Sequence, residues 1–253
     1  MNFCFSENPF VLDETVDFAV VYKPPRMHSL PGKGCGGTLL GWYAVLFPPV
    51  MDISGRREGG GLLHRLDFET HGLALLAKNQ KSFDFLLTQQ DQGNFTKEYS
   101  AVCHKRLSPP SSFPDPPAFP LSENPWQKLA IESFFRPFGP GRKQVRPVSS
   151  SGKIRKKLHV AKNRGGFYRT EIVNCAENGH YAFTVRLIRG FRHQIRCHLA
   201  WVSCPIVNDQ TYSELPAEGC LALRSHGLFF ADPQTGKPRE YRIDPLPECS
   251  KHA

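Results

Sequence analysis

The sequence predicts an α+β fold: a largely antiparallel, mixed sheet with flanking helices. Short β-branched or alternating runs recur along the chain, only three segments have helical spacing, and most connections between strands are hairpin-like. A chain of 253 residues is long enough to bury a full core. We therefore predict one domain that spans residues 1–253.

The predicted elements follow from these periodicities and from the turn residues that close them. Thr38, Asn79 and His193 begin the three helices, since Thr and Asn cap helix N-termini and the apolar stripes follow directly. Leu46 is expected on the buried stripe of the first helix. The predicted strands are 16–22, 73–77, 95–102, 129–135, 168–174, 180–188, 220–223, 227–230 and 239–243.

Two segments between these elements have a strongly biased composition. Residues 107–125 contain seven prolines, which exclude a helix or a central strand and predict a surface loop. Residues 136–169 carry eleven Arg and Lys side chains and no acid. A solvated loop is one interpretation, but the one-sided charge favours contacts with RNA phosphates. The cations expected to make them are Arg142, Lys143, Arg155, Lys156 and Lys157.

Charge and composition narrow the class of protein. A net charge of +9 is typical of chains that meet polyanions, although solubility alone would also explain it. No run of 18 apolar residues occurs, and the first residues do not resemble a signal peptide. Eight cysteines without a Cys-x-x-Cys pair indicate reduced thiols of a cytoplasmic protein. We expect no metal and no cofactor.

Asp67 is the acid that most needs an explanation. It lies between Leu66 and the apolar run 72–77, so we expect its carboxylate to be desolvated, which is costly without a compensating cation or donor. Arg65 is a candidate cation, because residues two apart on an extended segment share a face. A purely structural ion pair is the alternative interpretation.

Five segments resemble motifs of the RluA-like pseudouridine synthase family, the type of the ribosomal large-subunit pseudouridine synthase A. They are Val20-Val21-Tyr22-Lys23-Pro24, which resembles the opening strand of the family, His64-Arg65-Leu66-Asp67 with its continuation to Asn79, Lys97-Glu98-Tyr99, the helix segment 190–200, and 205–212. The chain departs from the family pattern at several positions. His71 replaces a serine, Phe191 an arginine, Asn208 a glycine, and Arg224 a histidine.

The resemblance implies the pseudouridine synthase catalytic fold and a cofactor-independent isomerase that converts uridine to pseudouridine in ribosomal or transfer RNA. It implies Asp67 as the essential acid, Tyr99 as the aromatic that stacks on the target base, and Arg196 as the cation paired with Asp67. Leu223 is implied as an apolar wall of the uracil pocket. The other residues expected to bind substrate are Arg65, Lys97, His193 and Gln194. A guanidinium suits the role given to Arg196, since it favours the ionised carboxylate and orients it.

Other interpretations remain open. The same fold could belong to a catalytically silent RNA-binding protein, or to a hydrolase that uses Asp67 with a second acid, Glu69 being the nearest. Tyr99 could be an ordinary strand tyrosine. His193 and His198 hint at a metal only weakly, because five-residue spacing does not align two imidazoles. We expect a monomer without an obligate protein partner or a separate amino-terminal RNA-binding domain.

Overall fold

The structure, a computed structural model, describes residues 5–32, 37–55, 59–117, 126, 129–148 and 167–246. The chain divides into two compact units. Unit 1 comprises Met1–Ser100 and Leu223–Pro247, and unit 2 comprises Ala101–Ala222 and Glu248–Ala253. The single domain expected over 1–253 stays a prediction. In the described part of the chain, no helix is both long and apolar enough to cross a membrane.

Unit 1 contains a mixed sheet. Its strands are β1 (Phe10–Glu14), β2 (Phe18–Lys23), β3 (His71–Ala77), β4 (Thr96–Cys103, whose last three residues belong to unit 2), β9 (Leu223–Ala231) and β10 (Pro238–Arg242). The strand order is β1-β2-β3-β9-β4, with β10 on β9. The β1/β2, β2/β3 and β9/β10 pairs are antiparallel, whereas β3 and β9 are parallel. This confirms the predicted mixed, largely antiparallel sheet.

Two helices of unit 1 begin where the sequence predicts. The helices are α1 (Leu39–Leu46) and α2 (Gln80–Gln92). The Thr38 hydroxyl accepts the Gly41 amide proton over 3.1 Å, and the Asn79 side-chain oxygen accepts that of Ser82 over 2.8 Å. Leu46, however, is 59% exposed, so its predicted burial is wrong. It is the last helical residue, and the 3₁₀ turn Pro48–Asp52 redirects the chain there.

The parallel contact between β3 and β9 depends on Gly72. Gly72 pairs with Ser225, and a Cβ atom at position 72 would lie 2.1 Å from the Ser225 carbonyl oxygen. Its φ of +117° is also rarely adopted by L side chains. Because only glycine fits on both counts, this position sets how closely the strand that follows Asp67 approaches β9.

Unit 2 contains a second antiparallel set of strands. They are β5 (Leu129–Phe138), β6 (Gln144–Val148), β7 (Tyr168–Asn178) and β8 (His180–Leu187), in the order β8-β7-β5-β6. The helix α3 (Gln194–Trp201) packs Cys197 and Ala200 against Phe135, Val145 and Tyr212. This core explains why β6 forms inside the basic segment.

Several strand predictions need correction. β1 and β6 are absent from the predicted set, because neither has the long apolar run that signals a buried strand. The predicted strand 220–223 is wrong, and β9 is one strand where a short strand 227–230 was expected. Ala222 still bonds to the backbone of Val102 and Val207, but as an irregular link.

The described part of the proline-rich segment, residues 107–117, has no helix or strand, as predicted. It is nevertheless anchored. The Arg146 guanidinium lies 4.4 Å from the Phe113 ring centroid and 4.1 Å from that of Phe138, and it donates to the Ser112 hydroxyl over 2.7 Å. This stacking holds the segment against β6. Residues 118–125 lie outside the described part.

Candidate active site

The backbone on both sides of Asp67 is held in place. The Leu66 amide donates to the Ser29 hydroxyl over 3.0 Å, and the same hydroxyl donates to the Leu66 carbonyl over 2.8 Å. On the other side, the Thr70 amide donates to the Asp67 carbonyl over 3.1 Å and closes a turn. Asp67 is half-buried, so its carboxylate is less desolvated than the sequence predicts.

Lys23 is a fully buried lysine beside the turn that carries Asp67. Its ammonium donates to the carbonyls of Pro24 and Met27, each over 2.8 Å, and to that of Phe68 over 3.2 Å. Burial lowers the pKa of Lys23 to about 7, while the charges of Asp67 and Glu69 act in the opposite direction. Lys23 belongs to the segment 20–24 that resembles the opening strand of the family, but the resemblance implied no role for its side chain.

Arg65 does not become a buried partner of Asp67. The residues from His64 to Asp67 form no strand, and the Arg65 side chain is exposed. Leu66 points into the core between them, which agrees with the alternation expected for an extended segment. Arg65 therefore lies where it could reach a ligand from solvent, and its predicted substrate contact stays a prediction.

Tyr99 is almost fully buried on β4. Burial raises the pKa of its hydroxyl, and the nearby negative charge of Asp67 raises it further, whereas a hydrogen bond with Ser225 acts in the opposite direction. The tyrosine therefore stays protonated at neutral pH. The structure thus brings two predicted site residues, Asp67 and Tyr99, into one electrostatic environment.

Lys97 lies two residues before Tyr99 on the same strand, so the two side chains share a face. It is 2% exposed, its ammonium lies 4.5 Å from the Phe95 ring centroid, and the Gln90 side-chain oxygen is 3.4 Å away. Burial lowers the pKa of Lys97 to about 7. Burial also lowers the pKa of His64 to about 3, and the positive charge of Lys97 adds to this effect. Such burial suits a supporting role more than the predicted contact with substrate.

Leu223 begins β9 and is 3% exposed. It is two residues from Ser225, the hydrogen-bond partner of Tyr99. Residues two apart on a strand share a face, so Leu223 and Ser225 lie on one side of β9. Its predicted role as an apolar wall stays a prediction.

In unit 2, Arg196 is held by an acid for which the sequence predicted no role. Its guanidinium donates to both carboxylate oxygens of Asp209, over 2.8 and 2.7 Å, and to the Thr211 hydroxyl over 2.9 Å. Both charged side chains are buried. The bidentate geometry orients the guanidinium. The predicted pairing of Arg196 with Asp67, a residue of unit 1, stays a prediction.

His193 and Gln194 tie the start of α3 to its surroundings. A His193 ring nitrogen lies 3.1 Å from the Tyr212 hydroxyl. The Gln194 amide donates to the Arg169 carbonyl over 2.9 Å and to the Thr170 hydroxyl over 3.0 Å, and its oxygen accepts from the Phe191 amide. Gln194 is buried, so these contacts are structural. The predicted contacts of both residues with substrate remain untested.

The predicted phosphate-binding residues are only partly described. Arg142 and Lys143 are exposed between β5 and β6, where they are accessible to a ligand. Arg155, Lys156 and Lys157 lie outside the described residues. Within the described part, no three His, Cys, Asp or Glu side chains are grouped so that they could hold a metal ion.

A half-buried carboxylate beside a protonated tyrosine and a buried lysine is suited to nucleophilic or general acid–base chemistry. The family model for RNA pseudouridylate synthase matches residues 17–201, which include Asp67, Tyr99 and Arg196. The match covers more than half of the chain. This chain therefore belongs to the RNA pseudouridylate synthase family.

Two curated relatives are enzymes named ribosomal large subunit pseudouridine synthase D. The one from Haemophilus ducreyi is 24% identical over 207 residues, which cover 81% of this chain and 53% of the relative. The one from Salmonella typhimurium is 26% identical with the same coverage. The chain thus spans about half the length of the curated relatives it matches.

Two solved human structures share the fold. Human RNA Pseudouridylate Synthase Domain Containing 1 matches with a TM-score of 0.61 and 18% identity, over 94% of this chain and 84% of that one. Human RNA Pseudouridylate Synthase Domain Containing 4 matches with a TM-score of 0.58 and 17% identity, over 94% and 88%. These similarities confirm the predicted α+β fold.

Proposed function

We propose that this protein is an RNA pseudouridine synthase of the RluA-like type that isomerises uridine in ribosomal or transfer RNA. The observation that carries the proposal is the placement of Asp67. Hydrogen bonds to the carbonyls of Leu66 and Phe68 hold the backbone on both sides of it, and the negative charge of its carboxylate raises the pKa of Tyr99. Family membership supports the reaction class.

In the proposed reaction, Asp67 attacks or assists at C1′ while the N1–C1′ bond breaks. The base then turns and rejoins through C5, whose proton leaves as N1 gains one, so no atom is lost overall. A carboxylate does this only when ionised. The Tyr99 ring would stack on the base, and because its hydroxyl stays protonated it would donate a hydrogen bond rather than act as a base at neutral pH.

A uridine inside a stem hides its C5 atom, so the nucleotide has to be extruded into the site. Stacking on an aromatic ring and contacts with the phosphate backbone hold such a base. The names of the curated relatives favour ribosomal RNA as the target. The monomeric state and the cytoplasmic location stay predictions.

The exposed pair Arg142 and Lys143 is proposed to bind phosphates. Changing both to alanine should reduce the log–log salt slope of RNA binding by about 1.4 to 1.8, at roughly 0.7 to 0.9 per contact. An unchanged slope would place the RNA footprint elsewhere.

The reaction is tested with RNA that carries tritium at uridine C5, because pseudouridine formation releases that tritium to water. We expect Asp67→Asn to abolish release while the RNA Kd stays within about threefold, since the change removes charge but little binding surface. Asp52→Asn, at an exposed acid of the same unit, is the matched control and should behave as wild type. Normal turnover by Asp67→Asn would refute the assignment.

The product separates the proposal from the other interpretations. RNA binding without tritium release would indicate a silent RNA-binding protein, and free uracil would indicate a hydrolase. Tyr99→Phe should keep the stacked ring and the RNA affinity while turnover falls, because only the hydroxyl is lost. Equal losses of binding and turnover would contradict the stacking role.

A further inference from the structure

Two departures from the family pattern lie against each other. His71 stands where the family has serine and Arg224 where it has histidine, 153 positions later in the chain. In the structure they are directly paired across the parallel strands β3 and β9. The Arg224 Nε–H donates to His71 Nε2 over 3.1 Å, and both side chains are buried.

The direction of this hydrogen bond requires a neutral imidazole. Burial lowers the pKa of His71 to about 3, and the charges of Arg224 and Lys23 add to this effect. Because a guanidinium only donates, Nε2 has to be the bare acceptor nitrogen and Nδ1 carries the proton. Nδ1 is buried without a hydrogen-bond partner in the described residues. The histidine is therefore held by its contact with Arg224.

The pair connects the two parts of the site in unit 1. His71 directly follows the turn from Asp67 to Thr70, so it anchors one end of the turn that carries the Asp67 carboxylate. Arg224 directly precedes Ser225, the partner of Tyr99, and it also donates to the Asp244 carbonyl over 3.0 Å. The pair therefore joins the segment that carries the acid to the strand that carries the partner of the tyrosine.

We propose that His71 and Arg224 form a matched positioning pair that sets the geometry of Asp67 relative to Tyr99 in this chain. The inference rests on the proposed function. Neither side chain is proposed to touch the substrate. The two residues act as one unit, since changing either one removes the hydrogen bond that joins them.

A double-mutant cycle tests the pair with the residues of the family pattern. His71→Ser and Arg224→His should each lower kcat by about tenfold or more, with the RNA Kd within about twofold, as expected for residues in one hydrogen-bond network. The double variant should recover to within about threefold of wild type. The proposal is wrong if the single changes leave kcat unaltered. It is also wrong if the fold-loss of kcat in the double variant equals the product of the two single fold-losses.

Two further variants separate positioning from folding. His71→Gln keeps an acceptor atom and should retain kcat within about threefold, whereas His71→Met, of similar size without that acceptor, should lose about tenfold. Equal kcat values for the two would overturn the proposal even if His71→Ser fails to fold. Gln89→Ala removes a clamp on the other end of β9, where Gln89 bonds to both backbone groups of Ala231. This control should lower the melting temperature and leave kcat unaltered.

The failure of the pair is distinguishable from the failure of the proposed function. Tritium release by the wild-type protein tests the function. If the wild type releases none, urea unfolding of the four proteins of the cycle still tests the contact. We then expect a coupling of about tenfold in the unfolding constant. Its absence would overturn the pair independently of turnover.

Discussion

The ammonium of Lys23 lies 3.2 Å from the carbonyl oxygen of Phe68, the residue that follows Asp67. This contact ties the end of β2 to the acid-bearing turn, 45 positions away in sequence. It also places the Lys23 ammonium close enough to Asp67 for the charge of that carboxylate to raise the pKa of Lys23. Lys23 therefore combines two roles, since it holds the backbone and balances negative charge.

At about pH 10, where burying a lysine no longer carries a charge penalty, we expect Lys23→Met to lower the unfolding free energy by about 1 to 3 kcal/mol, because three backbone carbonyls lose their donor. Turnover should fall as well, since the segment around Asp67 loses an anchor. Urea unfolding and the tritium-release assay measure the two effects.

Lys78→Met is the matched control for Lys23→Met. Lys78 follows the other end of β3 and pairs with the partly exposed Glu14 over 2.7 Å. A change of at most about 1 kcal/mol with normal turnover is expected, as for other pairs near the surface. Similar losses of turnover in both lysine variants would show that Lys23 has no special relation to the acid.

We expect Gly72→Ala to destabilise the protein by about 3 kcal/mol or more, because the new Cβ would lie 2.1 Å from the Ser225 carbonyl oxygen and φ is +117°. Gly236→Ala separates the two causes, since φ there is +69° but no atom lies within 4 Å. That control should cost only about 1 kcal/mol. Equal shifts of the two urea midpoints would mean that β3 and β9 move apart easily.

The lowered pKa of Lys97 predicts that the unfolding free energy increases with pH. This pKa is lowered to about 7 in the folded protein, whereas an unfolded lysine titrates near 10.4. Between these values the unfolded chain binds more protons than the folded one, so the unfolding free energy increases with pH. The slope approaches about 1.4 kcal/mol per pH unit, and the full penalty of burying the charge is present below pH 7.

Lys97→Met checks this assignment, because methionine does not titrate. The variant should be more stable than wild type at pH 6, and the difference should shrink as the pH rises from 7 to 9. Urea unfolding at several pH values measures it. Lys23, whose pKa is also about 7, contributes the same sign and remains in the variant. A constant difference between the two proteins across that range would contradict the lowered pKa of Lys97.

We expect Arg196→Ala to cost about 3 to 5 kcal/mol of stability, since it leaves the buried carboxylate of Asp209 without its cation. Arg196→Lys should recover part of this, because an ammonium lacks the planar fork that binds both oxygens. Glu132→Gln is the control, in a half-exposed pair with Arg169, and should stay within about 1 kcal/mol. Wild-type melting of Arg196→Ala would show that Asp209 does not need the guanidinium.

Local periodicity predicted most of the secondary structure. The caps at Thr38 and Asn79 and the strand His71–Ala77 depend on residues that are close in sequence, so the sequence contains the information. β1 was missed because it is a partly exposed edge strand, and β6 because it is short and contains Arg146 and Pro147, so neither has a strong apolar run and each is stabilised by its neighbours.

The residue types of the motifs were sufficient to predict the fold and the RNA pseudouridylate synthase family, while the roles given to Asp67 and Tyr99 stay predictions. The partners of these and other site residues depended on the tertiary structure. Lys23 contacts Phe68, Arg196 binds Asp209, and His71 meets Arg224 through hydrogen bonds between segments that are distant in sequence. The type of a side chain determines which hydrogen bonds it is able to make. Only the folded backbone decides which of the many possible acceptors lies within about 3 Å of a given donor.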